Sequence, residues 1–255
     1  MRSNAPTLPD RGRMRILSFG AGVQTTALAI LAAKREIEPY DALVFADTGG
    51  EHPETYAYLE RVFKPWDKGL FHSVQVVSPK WGTPTLYDYA YRRRMVPSII
   101  NRWCTNQFKI RPIKKFLRPL APGTISIGIS ADESHRAVRR PQPRGIEPDW
   151  PLVSLSLTRE DCRRIIANAG LPEPRKSGCW FCPFQSRRNW LELAELHPDL
   201  WGKALALEAN SIARNPRDFL GSDKPVAKLL SEGRQPFLDG FLEAESGCRS
   251  GYCFV

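Results

Sequence analysis

Ile16-Leu17-Ser18-Phe19-Gly20-Ala21-Gly22-Val23-Gln24-Thr25-Thr26-Ala27-Leu28 decides the fold. It reads as a short apolar strand, a glycine turn and the first turn of a helix. Glycine at 20 and 22 permits close backbone approach to a ligand and positive φ. The helix that follows offers unpaired N–H groups and the positive end of its dipole, which suits a phosphate. Ser18, Thr25 and Thr26 add hydroxyls, so Ser18, Gly20, Ala21, Gly22, Val23, Gln24 and Thr25 are candidate nucleotide contacts.

Outward from this stretch, strands alternate with helices. Strands are read at Arg15–Phe19, Ala42–Ala46, His72–Val77 and Thr124–Ser130, with Pro151–Leu155 as the last strand or a lead-in to the C-terminal part. Helices are read at Val23–Arg35, Pro53–Phe63, Thr85–Arg94 and Pro112–Leu117. This alternation predicts an α/β fold with a doubly wound, mostly parallel sheet. Ligands on such sheets sit at the carboxyl ends of the strands, where the first loop and Asp47 both fall. Residues 1–13 form a basic arm and 14–156 the nucleotide-binding domain. Residues 157–255 form a helical, cysteine-bearing C-terminal region. In that region Thr158 and Gly170 bound one helix, with Cys162 in its core face. A longer helix runs from Arg187 to about Ala213, with Trp190, Leu193, Leu196, Leu200 and Trp201 as its apolar stripe.

The 255 residues suffice for a substantial core, and a hydrophobic share of 42% is ordinary for a globular chain. No apolar run is long enough to span a bilayer, and the N-terminus lacks a signal core, which places the chain in the cytoplasm. Lys and Arg total 37 against 27 Asp and Glu, a net charge of +10. That excess favours an anionic partner: nucleotide, sulfate ester or nucleic acid. Six cysteines in a reducing compartment speak for metal or sulfur chemistry over structural disulfides.

A second polar turn, Phe45-Ala46-Asp47-Thr48-Gly49-Gly50-Glu51-His52-Pro53-Glu54-Thr55-Tyr56, ends the second strand. With the first loop it resembles the PP-loop ATP pyrophosphatase superfamily, on its phosphoadenosine phosphosulfate reductase-like branch. The resemblance implies a Rossmann-like fold of the adenine nucleotide alpha hydrolase type. It also implies that the first loop holds phosphates and that Asp47, Thr48 and Gly49 lie beside the adenosine. Val23 and Gln24 stand where the family's Ser-Gly-Gly-Lys-Asp-Ser loop has Lys and Asp, so positive charge has to come from elsewhere. Gly128-Ile129-Ser130-Ala131-Asp132-Glu133-Ser134 resembles the family's Gly-x-Arg-x-x-Glu-Ser, with Ser130 replacing the arginine. That role passes to Arg136, Arg139 or Arg140, and Arg136 is a candidate bidentate clamp for an anion. Asp132 and Glu133 could hold a cation or a ribose. The tract from Arg139 to Arg144 lacks apolar anchors and reads as a loop.

Cys179-Trp180-Phe181-Cys182 places two thiolates within reach of one metal. Cys104 lies in Arg102-Trp103-Cys104-Thr105, before Lys109-Ile110, which resembles the branch's Arg-x-Cys-x-x-x-x-Lys-Ile. Cys104, Cys179, Cys182 and Cys253 are the candidate metal set, for zinc or a [4Fe–4S] cluster; ATP-dependent sulfur-transfer relatives favour the cluster. Cys248 sits beside Arg249 between glycines, which favours its thiolate and makes it the candidate nucleophile, although it could exchange roles with Cys253.

Three functions follow. The first is an ATP- and Mg²⁺-dependent enzyme that adenylates an acceptor oxygen and then delivers sulfur from a donor protein or sulfide. Its catalytic candidates are Asp47, Arg136 and Cys248. Its acceptor is tRNA, DNA or another anion, met by a basic face of Arg111, Lys114 and Lys115. The second is a sulfonucleotide reductase, with Cys248 attacking the sulfate sulfur. The third is a metal-stapled module that binds nucleic acid or a partner without catalysis.

Overall fold

The computed structural model describes residues 12–71, 74–78, 85–221 and 224–228. The first strand, β1 (Met14–Ser18), leads through the glycine turn into α1 (Val23–Ala33). β2 (Ala42–Ala46) is followed by α2 (Pro53–Tyr58), a wide π turn (Leu59–Phe63) and α3 (Lys64–Asp67). β3 (Val74–Val77) precedes α4 (Leu86–Arg93) and α5 (Trp103–Thr105). A second π turn (Asn106–Ile110) opens α6 (Arg111–Leu117). β4 (Gly123–Ile127) runs into a 3₁₀ turn (Ala131–Arg136), then β5 (Ile146–Asp149) and α7 (Pro151–Ser154). The chain continues through α8 (Arg159–Asn168), α9 (Arg187–Leu196) and α10 (Pro198–Ile212).

All five strands are parallel, in the order β3-β2-β1-β4-β5. Alternate residues of each central strand enter opposite cores, as burial on both faces of a parallel sheet requires. Leu17, Leu43 and Phe45 join α1, Phe63 and α8 on one face. Ile16, Val44 and Ile125 join Ile113 and Leu117 of α6 on the other. Cys162 of α8 is buried among the first set, as its helical spacing implies. A separate aromatic core packs α4, α9 and α10 around Trp180, Phe181, Trp190 and Trp201. Among the described residues no helix is long and apolar enough to cross a membrane.

Three readings need correction. Pro151–Leu155 is not the last strand: Pro151 opens a helix, a position where its missing N–H costs nothing. The fifth strand is Ile146–Asp149, whose Pro148 is tolerated because β5 is an edge strand. The helix read from Arg187 to about Ala213 is two helices, broken at His197 before Pro198, and Leu196 of its predicted stripe is 58% exposed. Finally, positive φ in the nucleotide loop belongs to Ala21 (φ 52°), not to Gly22 (φ −105°). The arm of residues 1–11, His72 and the tail holding Cys248 and Cys253 lie outside the described residues.

Candidate functional site

The order of the strands reverses between β1 and β4, and that switch point is where an open parallel sheet offers a crevice. The loops leaving β1, β2 and β4 all end there. The first loop is tightly closed: Gly20 N donates to Thr25 Oγ1 (3.3 Å), and Thr25 Oγ1 donates to the Gly22 carbonyl (3.2 Å). Ala21, Gly22, Val23, Gln24 and Thr25 are buried, with Ser18 just before them. Ser177 lies over the loop, so a Cβ on Gly22 would stand 3.1 Å from its Oγ.

Asp47 ends β2. Its Oδ1 accepts from Gly49 N (2.8 Å) and from the Tyr56 hydroxyl (2.6 Å), so this carboxylate shapes the turn after the strand. Burial, together with that carboxylate, raises the Tyr56 phenol. The next residues carry the Cys-x-x-Cys loop. Trp180 N donates to Gly50 O (2.9 Å), His52 N donates to Gly178 O (3.1 Å), and Glu51 bridges Cys179 in antiparallel fashion. Gly50 permits this approach, since a Cβ there would stand 2.8 Å from the Phe181 ring.

A cleft of about 1090 Å³, including its mouth, opens beside these loops. Cys104, Cys179 and Cys182 all line it, as does Thr48. Six cations line it too: Arg102, Lys109, Arg136, Arg159, Arg175 and Lys176, against one carboxylate, Glu133, among the described lining residues. Arg136 is buried and donates to Glu133 Oε1 (2.5 Å), which fixes its guanidinium in the wall. Arg175 holds Glu192 with two bonds (2.9 and 3.2 Å). Arg102 takes a left-handed backbone (φ 48°) and sets its guanidinium 5.2 Å over the Phe184 ring.

Of the nucleotide candidates, only Thr48 faces this cleft; Ser18, the loop 20–25, Asp47 and Gly49 do not line it. Asp132 is taken up locally, its Oδ1 accepting from Arg159 N (3.0 Å) at the start of α8.

Burial, then the Glu51 carboxylate, pushes the Cys179 thiol pKa well up, and burial pushes Cys182 up to about 12. Burial also raises Cys104. The Cys179 thiol lies 3.4 Å from Thr48 Oγ1 and 3.9 Å from Glu51 Oε1. The donor chemistry of three thiols on one cleft suits a thiolate-ligated metal centre. Among the described residues, however, no three Cys, His, Asp or Glu side chains are grouped as a ligand set.

Sequence reasoning missed four residues here. Glu51 is buried and paired with Lys109 (2.9 Å). His52, also buried, lines the cleft and faces Gln185 Oε1 through Nε2 (3.1 Å). Because Gln185 Nε2 donates to Trp180 O (2.7 Å), its Oε1 must accept, which makes His52 the Nε2–H tautomer. Burial, then Arg175, lowers the His52 pKa. Arg175 is the fourth. The available signal was local only for Glu51 and His52, which trail the Asp-Thr-Gly-Gly turn.

Residues 15–149 match the family model for the phosphoadenosine phosphosulfate reductase domain. An uncharacterized nin region protein of Escherichia phage lambda is 30% identical over 151 residues, covering 50% of this chain and 52% of that protein. An uncharacterized protein of Methanocaldococcus jannaschii is 23% identical over 200 residues, covering 73% of this chain and 45% of that one. The chain thus spans about half the length of the curated relatives it matches. The phosphoadenylyl-sulfate (PAPS) reductase of Candida auris, solved as a phosphate complex, is similar with a TM-score of 0.48 and 15% identity. That likeness covers 67% of this chain and 82% of the reductase.

Proposed function

This chain belongs to the phosphoadenosine phosphosulfate reductase domain family, and from that premise we propose that it is an adenine-nucleotide-dependent sulfur-transfer enzyme. One observation carries the reading: three thiols and six cations share a single cleft beside the turn that holds Thr48. In the first form of the proposal, ATP is bound with Mg²⁺ by the β1 and β2 loops, and an acceptor oxygen attacks the α-phosphorus with release of pyrophosphate. A sulfide ion, or the outer sulfur of a persulfide, then bonds to the acceptor carbon as AMP leaves; in the persulfide case a second thiol takes up the donor's inner sulfur as a disulfide, leaving the sulfur on the acceptor. Adenylation is needed because a carbonyl or amide oxygen leaves poorly and AMP leaves well. Arg136, fixed by Glu133, supplies the charge that Val23 and Gln24 do not, and Asp47 orders the turn beside the nucleotide. Cys248, carrying the donor's sulfur as a persulfide, is the proposed nucleophile.

Cys104, Cys179, Cys182 and Cys253 are the proposed ligands of a [4Fe–4S] cluster or zinc. Such a centre, when bound, would hold sulfur close to the cleft.

A second form is favoured by the first loop, which has no lysine for a triphosphate. There the chain reduces a sulfonucleotide: Cys248 attacks the sulfate sulfur, the nucleotide phosphate leaves, and a dithiol releases sulfite.

Anaerobically purified protein distinguishes the forms. Pyrophosphate released from ATP in the presence of RNA or DNA supports adenylation, whereas sulfite released from a sulfonucleotide supports reduction. Neither product, with polynucleotide binding retained, leaves the non-catalytic module. Metal analysis of the same preparation tests the four-cysteine set.

A further inference from the structure

The β1 loop brings no charge of its own: between Ile16 and Ala33 the chain carries no charged side chain. α1 starts at Gly22 without a side-chain cap and without an acid in its first turn. Its second residue, Gln24, is 5% exposed, and its Nε2 has no hydrogen-bond partner among the described residues. The dipole of such a helix start favours an anion, yet a charged donor adds roughly twice what a neutral one does.

What closes over this start is the segment before the Cys-x-x-Cys pair. A Cβ on Gly22 would stand 3.1 Å from Ser177 Oγ and 3.8 Å from Ser177 N, so both polar groups face the helix start. Ser177 and Lys176 also line the cleft, which the β1 loop itself does not. Ser177 is therefore the point where loop and cleft meet. The pair is pinned from both sides: Arg175 by its two bonds to Glu192, and Gly178 through its carbonyl, which accepts from His52 N. Of the cleft cations, Lys109, Arg136 and Arg175 are each paired with a carboxylate. Neither the Lys176 ammonium nor the Ser177 hydroxyl has a hydrogen bond or ion pair among the described residues.

We propose that Ser177 and Lys176 hold the phosphate of an adenine nucleotide seated on the β1 loop. Ser177 donates its hydroxyl, and Lys176 is a cation that supplements Arg136. Preference for a phosphorylated ligand then resides in the cysteine loop, not in the glycine loop. Because the two-residue span is fixed between anchors beforehand, little ordering entropy is lost on binding. Such a role presupposes the nucleotide-binding part of the reading above, though not sulfur transfer; binding is measured without acceptor or turnover, so the two fail separately.

The test is isothermal titration of the full chain with ATP, AMP and adenosine. Lys176→Gln and Ser177→Ala are each expected to weaken ATP and AMP about tenfold, as loss of a hydrogen bond to a charged group does. Adenosine binding and the ligand-free melting temperature should stay as in the parent. Lys176→Arg, which keeps the cation, should lose less than Lys176→Gln. Lys203→Gln, at an exposed α10 lysine outside the cleft, should bind as the parent does. If Ser177→Ala does not fold, Lys176→Gln decides alone, since that side chain is exposed. Unchanged binding of ATP and AMP in either folded variant, an equal loss for adenosine, or the same loss in Lys203→Gln would each overturn the proposal. A parent that binds none of the three ligands overturns it together with the nucleotide reading. A parent that binds ATP or AMP, loses it in both variants and releases neither pyrophosphate nor sulfite sinks sulfur transfer alone.

Discussion

Lys109 Nζ lies 2.9 Å from Glu51 Oε1, and this ion pair ties the second π turn to the loop after β2. The Glu51 side chain is 2% exposed. Removing its cation strands a buried charge, a cost of about 3 kcal/mol or more. Lys109→Met should therefore lose about that much stability in denaturant unfolding. The double variant E51Q/K109M should recover most of it, because neither charge then remains; a double variant no better than the single would refute the pairing.

Glu208 is buried, and its carboxylate accepts from Leu220 N (2.8 Å), Val226 N (2.9 Å) and Ala227 N (3.4 Å). Glu208→Ala leaves two buried N–H donors without a partner, at about 1–3 kcal/mol each. The variant should melt lower and be cut by protease between 220 and 228, while Glu208→Gln, which keeps one acceptor oxygen, should lose less.

Gly128 follows β4, and a Cβ there would stand 2.7 Å from Thr25 Cγ2 and 3.3 Å from Gln24 Cβ. Gly128→Ala should push the first loop outward. If that loop holds the nucleotide, thermal stabilisation by added adenine nucleotide should fall several-fold in the variant, with little change in Cys182 alkylation. Gly50→Ala should do the reverse, because its Cβ meets the Phe181 ring and displaces the cysteine loop.

Asp161 forms a capping box with Thr158, whose hydroxyl (2.6 Å) and N–H (2.8 Å) both donate to its Oδ2. These bonds, and then Arg164, lower its carboxyl to about 2. A depressed carboxylate contributes stability above its unfolded value, near 3.9, and loses it as pH falls towards its folded one. Asp161→Asn should thus narrow the stability gap to the parent between about pH 4 and pH 2, as read by acid unfolding.

The sheet was legible where the signal is local. Apolar strands before a glycine turn and an Asp-Thr-Gly turn gave β1 and β2, and the alternation gave the doubly wound order. Pro151–Leu155 misled because a short apolar run suits helix and strand alike. The true edge strand has one buried apolar side chain, Ile146, and is defined by its pairing with Gly123–Ser126, which no local pattern reveals. The break between α9 and α10 was missed because Pro198, a common helix-start residue, was read through as helix interior. In the cleft, Cys104, Cys179 and Cys182 were singled out by motif, and all three are among its lining residues, though among the described residues no three ligand side chains are grouped. Glu51 and Arg175 were missed because their meaning lies in partners distant in sequence, Lys109 and Glu192 respectively.

The strand-like clasp between Gly50–His52 and Gly178–Trp180 has a thermodynamic corollary. Two ligands that meet opposite ends of one rigid clasp obey reciprocity: whatever factor the first imposes on the second's dissociation constant, the second returns. An occupant of the cysteine side that doubles nucleotide affinity must itself be held twice as tightly once nucleotide is present.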